Sequence, residues 1–194
     1  MPITLTPSPS GFNQALRRAV GEVSRAGTLK FAALGGAAAG PAPSAQHRVY
    51  TMTLGEVASG EHVKPARPVS WRAFLVQAQT PVAVAEVVES AGGQLATEAS
   101  ITEGPLVEAA TEAIEVAEHS NLVATGNFEL RVLHVPAIYV LAIWLHGSQE
   151  LFIPIRGTGL KPRQVYQEGD FFSAIQPAAK AQFAQSQTKG AALY

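Results

Sequence analysis

The sequence contains no cysteine, and this absence excludes disulfide bonds, thiolate metal sites and cysteine nucleophiles. Asp170 is the only aspartate, and no GxSxG motif marks a nucleophilic serine, so the sequence does not indicate a Ser-His-Asp hydrolase. The segment "LGGAAAGP" has no lysine and no strand before it, so it does not match a phosphate-binding loop. We find no catalytic motif, and the sequence favours a non-enzymatic role without a cofactor.

The histidines show none of the spacings that hold a metal, such as HxH or HExxH. They are His47, His62, His119, His134 and His146. Neighbouring Glu and His residues in the sequence do not by themselves converge on an ion. We therefore predict no metal site.

Long apolar runs are also missing, since none reaches the roughly 18 residues that a membrane-spanning helix needs. Charged residues interrupt the N-terminal region where a secretory signal would need an apolar run. No dense basic and aromatic cluster indicates a nucleic-acid partner. The sequence predicts a soluble, cytoplasmic protein with no transmembrane segment and no nucleic-acid partner.

Basic residues are absent from one long stretch. Between Ala73 and Leu130 the chain has nine glutamates and no lysine or arginine, whereas the remainder carries 14 basic and 6 acidic residues. Such asymmetry is suited either to an acidic docking surface or to self-association between unlike surfaces. A helix that merely exposes its glutamates to solvent is the simpler explanation.

The N-terminal region, residues 1–32, reads as an extended tail followed by a basic amphipathic helix. An apolar stripe and two arginines define this helix: Phe12, Leu16, Val20 and Val23, with Arg17 and Arg18. Residues 33–46 are Ala, Gly and Pro-rich and predict a flexible linker. The helix has three candidate roles: a peptide that docks on a partner, an anchor at a membrane surface, or an element that folds back on its own domain.

Residues 47–187 predict a single α+β domain, and residues 188–194 a C-terminal tail. Strand periodicity indicates an antiparallel sheet of about six to seven strands, with helices packed mainly on one face. The segment "PVAVAEVVE" reads as a strand, although Pro81 would also suit a helix start. The apolar segment Phe128 to Arg156 predicts a meander of three strands that buries a core.

Two helices are predicted within this domain. The first helix is predicted from Gly104 to His119. Its glutamates Glu108, Glu112 and Glu115 lie on one face, and a stripe of mostly small apolar residues lies on the opposite face. The second helix is predicted to begin at Asp170 as its N-cap and to kink or break near Pro177. Its predicted inward face comprises Phe172, Ile175, Ala179 and Phe183.

Two hypotheses for function follow. The first is a non-enzymatic protein-interaction or assembly module that uses the basic N-terminal helix and the acidic helix as contact surfaces. The second is a small-molecule-binding protein or enzyme with a cleft on the open sheet face. Four polar residues at strand positions would line that cleft: Arg72, Glu86, Arg131 and His134. The competing interpretation is a carboxylate on the sheet surface, Glu86 or Glu129, in an ion pair with Arg72 or Arg131.

Overall fold

The computed structural model describes residues 2–26 and 42–191, and within them the chain forms an α+β fold with five helices and nine strands. The helices are α1 (Phe12–Ala26), α2 (Leu54–Ala58), α3 (Pro105–His119), α4 (Asn121–Ala124) and α5 (Glu168–Ala191). The strands are β1 (Ile3–Thr4), β2 (Ala42–Thr51), β3 (Arg67–Gln77), β4 (Thr80–Val88), β5 (Ser100–Thr102), β6 (Phe128–Val135), β7 (Val140–His146), β8 (Glu150–Arg156) and β9 (Tyr166–Gln167).

The mostly antiparallel sheet has more strands than the predicted six to seven. The additional strands β1 and β9 have two residues each, which is too short for a period of two to be visible in the sequence. Strand β1 comes from the segment that was predicted to be an extended tail. It pairs in parallel with β6, and the amide of Phe128 donates to the carbonyl of Pro2 at 2.7 Å.

The chain divides into two compact units that interleave along the sequence. The first unit comprises Met1–Thr4, Tyr50–Arg67 and Glu112–Tyr194, and the second comprises Leu5–Val49 and Pro68–Thr111. The predicted domain boundaries at residues 32, 46 and 187 stay a prediction. The linker prediction is wrong for residues 42–46, which belong to strand β2, and its residues 33–41 lie outside the described residues.

In the first unit, strands β6 to β9 follow one another in antiparallel order, which confirms the predicted meander. Helix α5 packs its aromatic residues on this sheet, and the rings of Phe152 and Phe171 stack with centroids 4.5 Å apart. Because these side chains are fully buried, they form the core that holds the unit together.

Helix α5 departs from its predicted form in three ways. It begins at Glu168, so Asp170 lies in its first turn and is not its N-cap, and it continues as one helix through Pro177. Phe183 was predicted to face inward but is 39% exposed, whereas Phe171 is fully buried. The buried face ends at Ala179 because the helix continues beyond the core that it covers.

The alternating segment "RVYTMTL" predicts that β2 continues to Leu54, and this prediction is wrong. The strand ends at Thr51, and Thr53 caps helix α2 instead. The amide of Thr53 donates to the Glu56 carboxylate at 2.7 Å, and the Thr53 hydroxyl accepts from the Glu56 amide at 3.4 Å. This reciprocal capping box satisfies amides that a helix start otherwise leaves unbonded.

In the second unit, the strand order is β5, β4, β3 and β2, and helix α1 packs on one face of β3 and β4. The apolar stripe of α1 enters the core of this unit, where the ring of Phe12 lies 6.4 Å from that of Trp71. Phe12 has no exposed surface and Leu16 almost none. Of the three predicted roles for the helix, folding back on its own domain is therefore the one that this packing matches.

We expect Phe12→Ala to lower the free energy of unfolding by about 3 to 5 kcal/mol, because it removes a fully buried ring and leaves a cavity. Urea denaturation followed by circular dichroism measures this loss. Gln14→Ala is the matched control, since Gln14 lies two positions further along the same helix and is exposed. Equal stabilities of the two variants would contradict the packing of α1.

Strands β3 and β4 are joined by the two-residue turn Ala78–Gln79, next to the register pair Gln77 and Thr80. Both turn residues have positive φ, 49° and 68°, which is the backbone of a type I′ hairpin turn. This conformation strains most residues, because at positive φ the Cβ atom crowds the backbone. Glycine has no Cβ atom, and the short polar side chain of asparagine can hydrogen bond locally, so both adopt this conformation at lower cost.

The double variant Ala78→Asn with Gln79→Gly should therefore raise the free energy of unfolding by about 1 kcal/mol. Thermal and urea denaturation both measure the change. Gln77→Gly, at an ordinary strand position, should instead lower stability by roughly 0.5 to 1 kcal/mol. A loss of stability in the turn variant would show that the turn is not of this type.

Candidate functional site

The four residues predicted to line a cleft fall in different units. Arg72 and Glu86 belong to the second unit, and Arg131 and His134 belong to the first. The predicted cleft that combines all four residues stays a prediction.

Arg72 and Glu86 are direct neighbours on adjacent strands. Arg72 Nε donates to Glu86 Oε2 at 3.0 Å, its Nη2 donates to the same oxygen, and the Ser70 hydroxyl donates to Oε1 at 2.6 Å. Both carboxylate oxygens thus have partners. This geometry is an ion pair on the sheet, which is the kind of interaction that the sequence offered as the alternative to a cleft.

His47 lies on the same unit and is only 1% exposed. Its Nδ1 is 2.6 Å from the carbonyl oxygen of Ala45, and its ring is 6.0 Å from that of Phe74. Burial, assisted by the nearby charge of Arg72, lowers the pKa of His47 to about 4. The imidazole is therefore neutral at pH 7, and we assign the Nδ1 proton to the bond with Ala45.

This arrangement does not resemble a nucleophilic site. The Ser70 hydroxyl donates to Glu86, and no described imidazole is hydrogen bonded to it. A serine nucleophile needs a base that removes its proton and a third group that orients that base. The cluster around Glu86 therefore stabilises the sheet rather than activating a hydroxyl.

Arg48 and Glu89 form a second ion pair in this unit, which sequence analysis missed. Arg48 Nε donates to Glu89 Oε2 at 3.0 Å, Nη2 bonds to Oε1, and the guanidinium lies 5.5 Å from the ring centroid of Trp71. The two residues are 41 positions apart in sequence. No local pattern indicates such a pair, because it depends on the register between strands.

In the first unit, Arg131 lies between two aromatic rings. Its Cζ is 4.9 Å from the ring centroids of both Tyr50 and Trp144, and its Nε donates to Glu129 at 3.0 Å. The apolar segment Phe128 to Arg156 predicts that Trp144 contributes to a core, and this residue is buried. The guanidinium occupies the position that a ligand cation would take in an aromatic site, so the cluster is filled by the protein itself.

The segment "HGSQ" predicts a turn that would leave His146 in solvent, and no sequence pattern indicates Glu150 as its partner. His146 is the last residue of β7 and is directly opposite Glu150 in the register. Its Nδ1 is 2.8 Å from Glu150 Oε1, and Trp144 Nε1 donates to Oε2 at 2.6 Å. The turn "HGSQ" does predict a hairpin, but the pairing of these two residues depends on where the turn starts.

His134 lies on β6 opposite Leu141. Its backbone carbonyl accepts from the amide of Met52 at 3.3 Å and from the hydroxyl of Thr51 at 3.0 Å. The residue thus anchors the end of β2 through its backbone. Across residues 2–26 and 42–191, no three histidine or carboxylate side chains converge as a metal ion would require.

The predicted interaction residues on α1 separate into a buried and an exposed group. Phe12, Leu16 and Val20 pack in the core of the second unit, so this stripe is not available to a partner or a membrane. Arg17 and Arg18 are exposed, as is Arg25. In the part of the chain that the structure describes, none of these three guanidinium groups pairs with a carboxylate; Arg17 Nε and Arg25 Nε donate to backbone carbonyls of their own helix.

Helix α3 presents the opposite charge, as predicted. Glu108, Glu112 and Glu115 are exposed, and so is Glu118. Arg163 binds both oxygens of Glu112, at 3.1 and 2.7 Å, and this pairing lowers the pKa of Glu112. The other glutamates keep their charge directed to solvent, so a net negative surface remains on this helix.

Comparison with known proteins adds no functional information: no family model, curated protein or solved structure matches this chain. Among the described helices, none combines the length and the apolar character that crossing a membrane demands.

The buried His47 predicts a pH dependence of stability. With a pKa of about 4 in the folded chain against 6.5 when unfolded, the unfolded chain binds more protons between these values. The stabilisation is complete above pH 6.5 and is lost as the pH falls towards 4, by roughly 3 kcal/mol in total. Urea denaturation at pH 7 and pH 5 should show the decrease.

His47→Gln should reduce the difference in stability between pH 7 and pH 5, because the variant has no imidazole at this position to titrate. His119→Gln replaces an exposed histidine and should keep the full difference. If His47→Gln and the unmodified protein lose the same stability over this pH interval, His47 does not titrate as proposed.

Proposed function

We propose that this protein is a non-enzymatic interaction module that associates with further copies of itself through oppositely charged helix faces. The basic face is the exposed side of α1, with Arg17, Arg18 and Arg25. The acidic face is the exposed side of α3, with Glu108, Glu115 and Glu118. The single observation that carries the proposal is that α1 buries its apolar stripe in its own unit while its arginines have no carboxylate partner in the described chain.

A contact between unlike faces fits a head-to-tail arrangement. The face of α1 on one copy would meet the face of α3 on the next, which is a heterologous contact and forms either a ring or an open chain. Each exposed ion pair contributes only about 0.2 to 1 kcal/mol and is screened by salt. The association is therefore expected to need several pairs and to weaken steeply as ionic strength rises.

A charge-reversal experiment tests this proposal. The variant Arg17→Glu with Arg25→Glu has two acidic faces, and the variant Glu108→Arg with Glu118→Arg has two basic faces. Each variant alone should fail to associate at low salt because like charges repel. An equimolar mixture should associate again, since the acidic α1 of one variant fits the basic α3 of the other. Multi-angle light scattering measures the masses.

The matched control is Lys64→Glu with Lys161→Glu, which reverses two exposed charges that lie on neither helix. This control should associate like the unmodified chain. The proposal fails if both helix variants behave like the control, or if each variant loses association and the mixture does not regain it.

A further inference from the structure

A groove of about 540 Å³ opens in the second unit between the first half of α1 and residues 93–97. Its volume lies within the range of sites that bind small ligands and short peptide segments. Gln14 and Arg18 line it from the helix, and Leu95, Ala96 and Thr97 line it from the opposite side. The charged helix faces described above do not account for this feature.

The segment that lines the groove has a strand-like backbone with one hydrogen-bonded side. The carbonyl of Gln94 accepts from the amide of Ser90, and the amide of Ala96 donates to the carbonyl of Val88, both at 2.8 Å. These two bonds flank an antiparallel bridge between Glu89 and Leu95.

In such a bridge the two opposed residues direct their own N–H and C=O groups away from each other. Glu89 obeys this rule, because its amide donates outward to Val69 of β3 at 2.8 Å. The N–H and C=O of Leu95 therefore point to the opposite side, away from β4. Within the described residues no backbone group pairs with them, so this is an unpaired strand edge.

The charge of the groove selects what can bind at this edge. Among the described residues that line the groove, Arg18 is the only charged one, and none carries a carboxylate. Arg18 also forms no ion pair within the described part of the chain. An extended segment with a carboxylate would satisfy the guanidinium and the backbone of Leu95 at the same time.

We propose that this groove binds a short, extended, acidic peptide of a partner protein. The peptide adds as a further strand beside Leu95, exchanging backbone hydrogen bonds with its N–H and C=O, and places one carboxylate on Arg18. The small side chains of Ala15 and Ala96 leave the space that the peptide occupies. This inference shares Arg18 with the proposed self-association, but it also needs the backbone of Leu95, which the contact between helix faces does not use.

Fluorescence anisotropy with the full chain tests the proposal. The probe is a short fluorescein-labelled peptide in which valine alternates with glutamate, and the comparison peptide has lysine in place of glutamate. The glutamate peptide should bind and the lysine peptide should not. Arg18→Glu should weaken binding about tenfold or more, as expected for the loss of a charge-assisted hydrogen bond.

Arg17→Glu is the matched control, since Arg17 is exposed on the same helix but does not line the groove, and it should bind the probe with nearly unchanged affinity. A probe methylated on its backbone nitrogens should bind much more weakly, which separates strand addition from attraction by charge alone. Absence of binding, equal binding of the lysine peptide, or equal losses in the two arginine variants would overturn the proposal.

The Arg17→Glu and Arg25→Glu double variant distinguishes the two proposals. It should lose self-association and keep peptide binding. Loss of both in this variant would overturn the groove proposal, whereas peptide binding without any self-association in the unmodified chain would overturn only the proposed function.

Discussion

The packing of helix α1 on strands β3 and β4 is the interaction on which the second unit depends. Phe12 and Leu16 are buried against Trp71, Ala73 and Leu75 in one apolar cluster. Fully burying each large side chain contributes about 1.5 to 3 kcal/mol, so two such residues account for a large part of the stability of a typical domain. The same packing fixes which side of the helix faces solvent, and thus sets both the basic face and one wall of the groove.

The polar residues of the sheet are largely satisfied by one another. Three ion pairs contribute. They are Arg72 with Glu86 on neighbouring strands, Arg131 with Glu129 within β6, and Arg48 of β2 with Glu89, which follows β4. Removing one partner of such a part-buried pair costs more than the pair adds when it forms, because the remaining charge is left without its partner. The hydrogen bonds of these groups are therefore made largely to one another.

Sequence reasoning recovered the elements with strong periodicity. The meander β6 to β8, the hairpin β3–β4 and helix α3 all follow from local patterns of apolar residues. It missed β1 and β9, which are held by pairing with distant strands, and the early end of β2, which a capping box decides. It also treated α1 as a tethered element, because amphipathicity shows that a stripe will be buried but not what buries it.

Local patterns likewise predict the contacts of some site residues and not of others. The ion pair of Glu86 with Arg72 could be anticipated because two regular strands joined by a short turn place these residues side by side. The roles of Arg48, Glu150 and Leu95 could not, since each depends on register or on the direction of single backbone groups. Charge counting along the chain did indicate the contrast between the acidic and basic regions, and the structure locates exposed residues of both kinds on helices α3 and α1.

The most direct test of the central claim is the solution mass of the unmodified chain, measured by light scattering at low and at high salt. Association between unlike helix faces predicts a mass well above that of the 20.4 kDa chain at low salt, and a return to the mass of a single chain when salt screens the charges. A mass of one chain at both salt concentrations would contradict it.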